Sequence, residues 1–374
     1  MGDYLPIEPQ SFSDVINGGG TFTGSLSLIA GVSQQAGAEN LAVQNAANVA
    51  AITPRKAMMW VLQDGTPVWG GILWDWAPTT ILQWQMPVQA ATLDFLLGRR
   101  IIETDLVFTN ADVFDMARGI VQYAFGKGPG YQVAGVTYST AMSGITDSLT
   151  FPGSQRQDCL TALGTLVSTY GIEFHFRPYM DQAGGLHLSL DLGYPALGQP
   201  YPASGLAYSF PGNLLDYAFV ATGSSGANRL IGSAQNTTAS GTGTAYTGSA
   251  ADDTDIANGY PVTEQVVSPV GVTFTSDAQV SAYCAGLVPS YTATQLAPLV
   301  ILGNGQYPPI AVTPLGSYCS VAFTSPLHPA NADGSPGFTG SGRVVSWQVF
   351  PPTSQQAEYS ELQLGAMPLE GSTL

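Results

Sequence analysis

Charge is what this chain of 374 residues has least of, with only 10% of its residues charged against roughly a quarter in typical soluble domains. The shortage is on the basic side: ten Lys and Arg stand against 26 Asp and Glu, a formal net charge of −16. Proteins that grip nucleic acid concentrate Lys and Arg along one face. Here the basic residues do not cluster beyond the pairs Arg55-Lys56 and Arg99-Arg100, which excludes DNA binding through counterion release. Cysteine is scarce too. Cys159, Cys284 and Cys319 are odd in number, far apart and without a C-x-x-C pair, so no disulfide framework is expected and the chain suits a reducing cytoplasm. Cys159 and Cys284 fall in helical patterns, where a free thiol packs as a small hydrophobe. No apolar run reaches the length of a membrane span. The opening MGDYLPIEPQ lacks a basic region followed by an apolar stretch, so no signal peptide is expected there.

What the chain has in plenty is glycine (44), proline (26) and an ordinary 45% of apolar residues. Ser and Thr take the surface places usually held by Lys and Glu. This composition suits a protein of strands and turns assembled into a larger particle, and the length allows two or three domains with real cores. The most informative stretch is AMMWVLQDGTPVWGGILWDW, residues 57–76. Two apolar runs flank Asp64-Gly65, a dipeptide that favours the tight turn of an antiparallel hairpin. The second run holds Trp69, Trp74 and Trp76, with Gly70-Gly71 between them predicted as a bulge that turns a barrel corner. Trp74 and Trp76 share a strand face and are expected in a barrel core, a reading that outweighs a sugar-stacking platform.

Alternation predicts strands around Phe12, Val15 and Ile16, then, after Gly18-Gly19-Gly20, at Phe22, Leu26 and Leu28, and again at Ile81–Met86. A β-barrel or sandwich ending near Arg100 follows. The period then changes. Thr109 or Asn110 is the expected cap of a helix carrying Val113, Met116, Ala117, Ile120, Val121 and Ala124 on one stripe. Ser154 is the expected cap of a second, through Leu160, Leu163, Leu166, Val167 and Tyr170. Residues 172–192 alternate as a hairpin turning at Gly184-Gly185, so that one apolar face meets the two helices. Residues 232–259, rich in Gly, Ser, Thr and Ala, are expected as a mobile excursion. A third helix follows from Ser276 with Val280, Tyr283, Cys284 and Leu287, and final strands at Ser317–Phe323, Gly342–Phe350 and Glu358–Leu364.

Catalytic chemistry finds little to stand on. Gly126-Lys127 is followed by Gly128 instead of the Ser or Thr of a phosphate-binding loop. His175 and His187 are expected to face each other on the hairpin beside Asp191 or Glu173, but as exposed cross-strand polar residues and not a metal site. Asp252-Asp253-x-Asp255 lacks the glycine and distal glutamate of a calcium loop and reads as a solvated acidic loop. No G-x-S-x-G elbow is present, and His328 stands alone in a Pro-rich loop. Acidic residues are numerous enough to leave a paired-carboxylate glycosidase open, since their separation is not in the sequence.

Asp64–Trp74 resembles the "dG-x-v-W-G-G-I-L-W" hairpin of minor tail proteins, tail-hub proteins among them, from long-tailed phages of actinobacteria. Ser11–Leu28 is similar to that family's "SFS-x-V-x-N-G-x-G-x-F-x-G-x-L-x-L" element. The resemblance continues at Arg118–Val121, Gly171–Phe176, Pro211–Tyr217, from Ala227, at Gly316–Val321, Gly342–Trp347 and Leu362–Gly365. The order of these elements is more telling than any one of them. Two departures stand out: Ser317 replaces a usual charged residue, and the 232–259 loop has no counterpart. The resemblance implies a mainly β, hub-like protein with α+β parts. Its expected divisions are a first tube-type barrel over 1–103, an α+β domain over 104–205, and a second barrel over 206–374 with an insertion at about 232–300. It implies a structural virion protein without enzymatic activity or cofactor, made in the host cytoplasm and carried at the tail tip. There it would form a homotrimer, contact the distal tail ring protein, the tail tube, other tail-tip proteins and the tape measure protein, and let genomic DNA pass without tight binding. Its structural motif residues are Trp69, Gly70, Gly71, Trp74, Trp76, Pro211, Gly212, Asn213, Gly342, Arg343 and Trp347. A receptor- or saccharide-binding tail module, using the tryptophans and the 232–259 loop, is the alternative; a cell-wall hydrolase is disfavoured by the lack of a hydrolase motif.

Overall fold

A long antiparallel sheet organises the molecule. The structure is a computed structural model and describes Leu5 and residues 7–27, 52–77, 85–126, 136–198, 203–221, 226–235, 243–268, 274–291, 296–302, 315–353 and 357–365. The first strands are β1 (Ile7–Val15), β2 (Thr21–Ser27), β3 (Met58–Gln63), β4 (Thr66–Trp76) and β5 (Gln85–Ala91). Asp64 and Gly65 both take positive φ, 51° and 81°, the tight turn whose twist matches the strands it joins. Helix α1 (Leu93–Leu97) leads to β6 (Leu106–Asp112), α2 (Val113–Phe125), β7 (Val136–Tyr138), β8 (Thr146–Phe151), α3 (Cys159–Tyr170), β9 (Glu173–Met180) and β10 (Leu186–Gly193). The rest comprises β11 (Leu206–Ser209), β12 (Leu214–Ala221), β13 (Arg229–Gln235), β14 (Ala245–Ala251), α4 (Asp253–Ala257), β15 (Glu264–Val267), α5 (Asp277–Tyr291), β16 (Leu296–Leu302), β17 (Tyr318–Phe323), β18 (Phe338–Phe350) and β19 (Tyr359–Leu364).

Eleven strands form the main sheet in the order β12-β16-β19-β18-β1-β2-β5-β4-β3, with β17 added on β18 and β11 on β17. The 13-residue β18 is the seam. Its first part pairs with β17, and its second part lies between β19 and β1, in register Phe12↔Val349 to Val15↔Ser346. Strands from the two ends of the chain are therefore one hydrogen-bonded surface. Among the described residues three small sheets lie outside it: β7-β10-β9, β14-β13-β15 and β6-β8.

The cores follow the same division. One combines both ends of the chain, with Phe22, Leu26, Trp69, Leu73, Val88, Tyr208, Val321, Val349 and Leu362. A second packs α2 and α3 against the apolar hairpin face of Phe174, Phe176, Leu188 and Leu190. A third, small one joins Leu230, Val267, Cys284 and Val288. The 232–259 stretch is thus more than an excursion: its described residues form β13, β14 and α4, because α5 lies against β13 and β14. Gly232 and Gly248 admit this packing, since a Cβ on either would come within about 2.7 Å of the helix.

Both helix starts differ from expectation. Asp112, not Thr109 or Asn110, caps α2, because β6 continues through those residues. The Asp112 carboxylate accepts from Phe114 N (2.8 Å), Ser143 N (3.1 Å) and Gly144 N (2.9 Å). Asp158, not Ser154, caps α3, accepting from Thr161 N (2.8 Å) and Thr161 Oγ1 (2.7 Å). In each case a carboxylate stands at the positive helix end, where it is a stronger acceptor than a hydroxyl.

The Gly70-Gly71 pair does not form the expected bulge. The register shifts fall at Val61/Leu62 and Leu73/Asp75 instead. The glycines let aromatic rings lie on bare backbone: a Cβ on Gly70 would meet the Trp60 ring at 2.6 Å, and one on Gly71 the Trp69 ring at 2.5 Å and the Ala91 carbonyl oxygen at 2.3 Å. Gly71→Ala is expected to destabilise by about 1–3 kcal/mol, the usual cost of overpacking. Gly164→Ala, in α3 with open space around the added methyl, is expected to stabilise by roughly 0.5–1 kcal/mol. Urea unfolding midpoints of the two variants check both signs; a neutral Gly71→Ala would refute the packing role.

Candidate functional site

The hairpin β9–β10 has two chemically different faces because its residues alternate. Phe174, Phe176, Leu188 and Leu190 enter the helical core, while Glu173, His175, Arg177, Tyr179, His187, Ser189 and Asp191 share the opposite face. Three sets of polar contacts tie this element to the main sheet. His175 Nε2 lies 2.8 Å from Asp14 Oδ2, with Asp14 on β1 only 3% exposed. Asn17, just beyond β1, holds the edge of β9: its side-chain oxygen accepts from Phe174 N (2.8 Å) and its backbone N–H donates to Phe174 O (3.0 Å). Asn17 does so at φ 59°, a left-handed conformation that Asn tolerates better than most residues. Both oxygens of Glu173 accept from Arg343 Nη2 on β18, at 2.5 and 2.6 Å, and one also accepts from Leu197 N (2.8 Å).

A third buried carboxylate joins the first pair. Asp94, in α1 and 2% exposed, bonds to the Thr92 hydroxyl (3.0 Å), which in turn accepts from Gly20 N (2.8 Å). Burial, reinforced by the Asp14 charge and only partly offset by Thr92 and His175, pushes the Asp94 carboxyl up to about 7. Burial alone would lower His175, but the charge and hydrogen bond of Asp14, with Asp94 and Asp191 beyond, hold the imidazolium above its ordinary range. The cluster therefore favours a protonated His175 and, below about pH 7, a neutral Asp94 carboxyl close to it.

The polar hairpin face also borders a cleft of about 690 Å³. Thr66, Pro67 and Val68 of the β3–β4 turn region line it, as do Arg177 to Met180 of β9, with Asp14, His175, Asp191 and Trp347. Arg177 Nε donates to Asp191 Oδ2 (2.6 Å), and Ser189 Oγ donates to Asp191 Oδ1 (2.7 Å).

The structure distributes the residues singled out from sequence. Trp69 is fully buried, with Nε1 donating to Ser13 O at 3.0 Å. Trp74 and Trp76 do not pack together: the Leu73/Asp75 register shift intervenes, Trp74 lies on the helical core beside Phe95 (4.7 Å), and Trp76 lies on the sheet core. Trp347 is 5% exposed and packs edge-on to Phe12. Gly342 accepts from Cys319 Sγ through its carbonyl. Arg343 and Trp347 border the joint, whereas Pro211, Gly212 and Asn213 form the β11–β12 turn. That turn is closed by Asn213, which accepts from Ser209 N (3.0 Å) and donates to Ala207 O (2.9 Å).

Two further expectations need correction. His175 and His187 do not face each other: His175 is opposite Asp191 and His187 opposite Tyr179, and each binds its own carboxylate, Asp14 or Asp181. The acidic loop is not solvated throughout. Asp252 caps α4, and Asp255 is 6% exposed and accepts from Asn228 Nδ2 (3.0 Å). Asp14, Asn17 and Asp94 escaped the sequence reading. Asp14 did leave a trace, since it falls in phase with Phe12 and Ile16, both buried on the same strand alternation.

The joint has a pH signature. His175, raised, contributes stability fully present below about 6.5, its unfolded value, and lost as pH climbs through its folded value. Asp94, also raised, costs nothing below its unfolded value near 4, and its penalty grows as pH rises toward about 7. Both terms have the same sign, so the melting temperature should fall as pH rises from about 4 to about 7, through Asp94, and from about 6.5 upward through the folded value of His175. Asp94→Asn should flatten the lower part of that profile. A wild-type melting temperature that is level or rising across the range would contradict the assignment.

No family model matches this chain, and no curated protein matches its sequence. Solved structures do match its fold. The prophage MuSo2 43 kDa tail protein from Shewanella oneidensis aligns with a TM-score of 0.58 at 12% identity, over 97% of this chain and 95% of that one. A tail protein from Neisseria meningitidis MC58 aligns at 0.56 and 10% identity, over 97% and 96%. Prophage tail protein gp18 from Listeria monocytogenes EGD-e aligns at 0.50 and 11% identity, over 96% and 88%. The likeness is one of fold: nearly end to end, this chain is built as phage tail proteins are.

Proposed function

We propose that this chain is a structural protein of a phage tail, the hub at the tip of a long-tailed phage of actinobacteria. The observation that carries the reading is the two-way coverage of the fold match, 97% of this chain against 95% of a tail protein. A shared domain would leave much of one partner uncovered; here almost nothing is left over on either side. The ordered motifs from Ser11 to Gly365 support the finer assignment to hub proteins.

In this reading three copies surround the tail axis. Each contributes two tube-type barrels, drawn from residues 1–103 and 206–374, with the 104–205 part and the insertion near 232–300 placed outside. The trimer closes the distal end of the tube, contacts the distal tail ring protein, the tail tube, other tail-tip proteins and the tape measure protein, and guides genome ejection without enzymatic activity. The charge balance supports this role. A chain of net charge −16 with ten basic residues repels a phosphate backbone, so DNA can slide past without sticking.

Two outcomes are expected. A reconstruction of the whole particle should show three copies on the tail axis; six copies, or single copies on peripheral fibres, would contradict the hub. The isolated protein should show no affinity for DNA at physiological salt. Micromolar binding that weakens steeply with added salt would reveal a basic groove and remove the electrostatic support.

A further inference from the structure

The cleft beside β9 shares Asp14 and His175 with the joint, and its remaining lining has the features of a ligand site. Its volume, about 690 Å³, falls within the range of small-molecule sites. Its charged groups come in matched pairs, His175 with Asp14 and Arg177 with Asp191. A phosphate, a carboxylate or a polyamine would find no uncompensated partner there, and the overall charge of −16 disfavours anions further.

Two rigid surfaces remain. Tyr179 lines the cleft, and its ring stacks on His187, with centroids 5.4 Å apart and planes 28° from parallel. His187 is itself fixed by Asp181 (2.8 Å), and Asp181 by the backbone N–H groups of Ala183 and Gly185. The aromatic plane is therefore anchored through three successive residues. Beside it, Asp191 is held by Ser189 and by Nε of Arg177, whose side chain is half exposed. The Arg177 Nη groups have no protein partner among the described residues. Fixed donors and acceptors beside a fixed aromatic plane suit a molecule with hydroxyls on its rim and C–H groups on its face.

We propose that this cleft binds a neutral saccharide, with Tyr179 as the stacking plane and the Arg177–Asp191 pair as the groups that receive its hydroxyls. The site differs from the tryptophan platform considered from sequence, since Trp69 is buried and Trp74 and Trp76 lie on separate cores. It does not depend on the hub position, because a peripheral tail module could use it equally. Failure of glycan binding would leave the copy number in the particle untouched, and the reverse also holds.

The test probes a glycan array bearing neutral, amino, uronic and phosphorylated glycans with the full chain, then titrates the strongest neutral glycan by saturation-transfer NMR. Binding of a neutral glycan is expected, weakened at least about tenfold by Tyr179→Ala and by Arg177→Ala, and within about twofold of wild type in Tyr179→Phe. Because Tyr179 packs on His187, a second measurement uses the unaltered protein: the bound glycan should slow phenylglyoxal modification of Arg177, read by peptide mass spectrometry. The proposal is overturned by binding of anionic glycans alone, by no binding of any neutral glycan, or by neutral-glycan binding that leaves Arg177 as reactive as before.

Discussion

A charge pair taken out of water at a crossing of elements is the constraint around which this molecule is arranged. Asp14 sits in β1 among side chains that face a core, and a lone carboxylate there would be costly. His175 from β9 answers it at 2.8 Å. Breaking such a pair by removing one partner is far worse than never having it, so β9 must stay where it is whenever β1 is in its sheet. The other ties run between the same elements. Asn17 seals the edge of β9 beside Phe174, and Glu173 receives Arg343 from β18. Since β1 and β18 are themselves paired, the hairpin is anchored on both strands of the seam that joins the two ends of the chain. Asp94 adds tension to this arrangement as pH rises through about 7, because its buried carboxyl then ionises close to the charge of Asp14.

Much of the sheet was legible in the sequence because its signals are local. The Asp64-Gly65 turn, the alternation of residues 172–192 and the stripes of the main helices depend on neighbours a few positions away. The misreadings have a common origin in distance along the chain. Gly70 and Gly71 looked like a corner because glycine weakens a strand, but the rings that require them belong to Trp60 and Trp69 in a particular register. The Gly- and Ser-rich 232–259 stretch looked unstructured because nothing in it announces α5, the helix it packs against. The Asp112 and Asp158 caps lie a few residues beyond Thr109, Asn110 and Ser154, which are cap residues of comparable propensity, and only the extent of the preceding segment decides between them.

The joint was the least legible part. Asp14 and His175 are 161 positions apart, and Glu173 and Arg343 are 170 apart. Each looks like an ordinary exposed residue in its own strand. Only the alternation of Phe12, Asp14 and Ile16 hinted that a carboxylate faced inward. No residue announces chemistry, and composition and the order of weak motifs are the functional signal the chain carries. What the structure adds is the fold, shared nearly end to end with a solved prophage tail protein.

The claim that this joint makes the hairpin and the seam one mechanical unit is tested most directly by native-state hydrogen exchange near pH 6. The account predicts that the slowest amides of β1, β9 and β18 open with the same free energy, and that His175→Gln lowers β9 together with β1. Exchange of β9 at a much lower opening free energy than β1 and β18, unchanged by the substitution, would show that the hairpin is merely resting on the sheet.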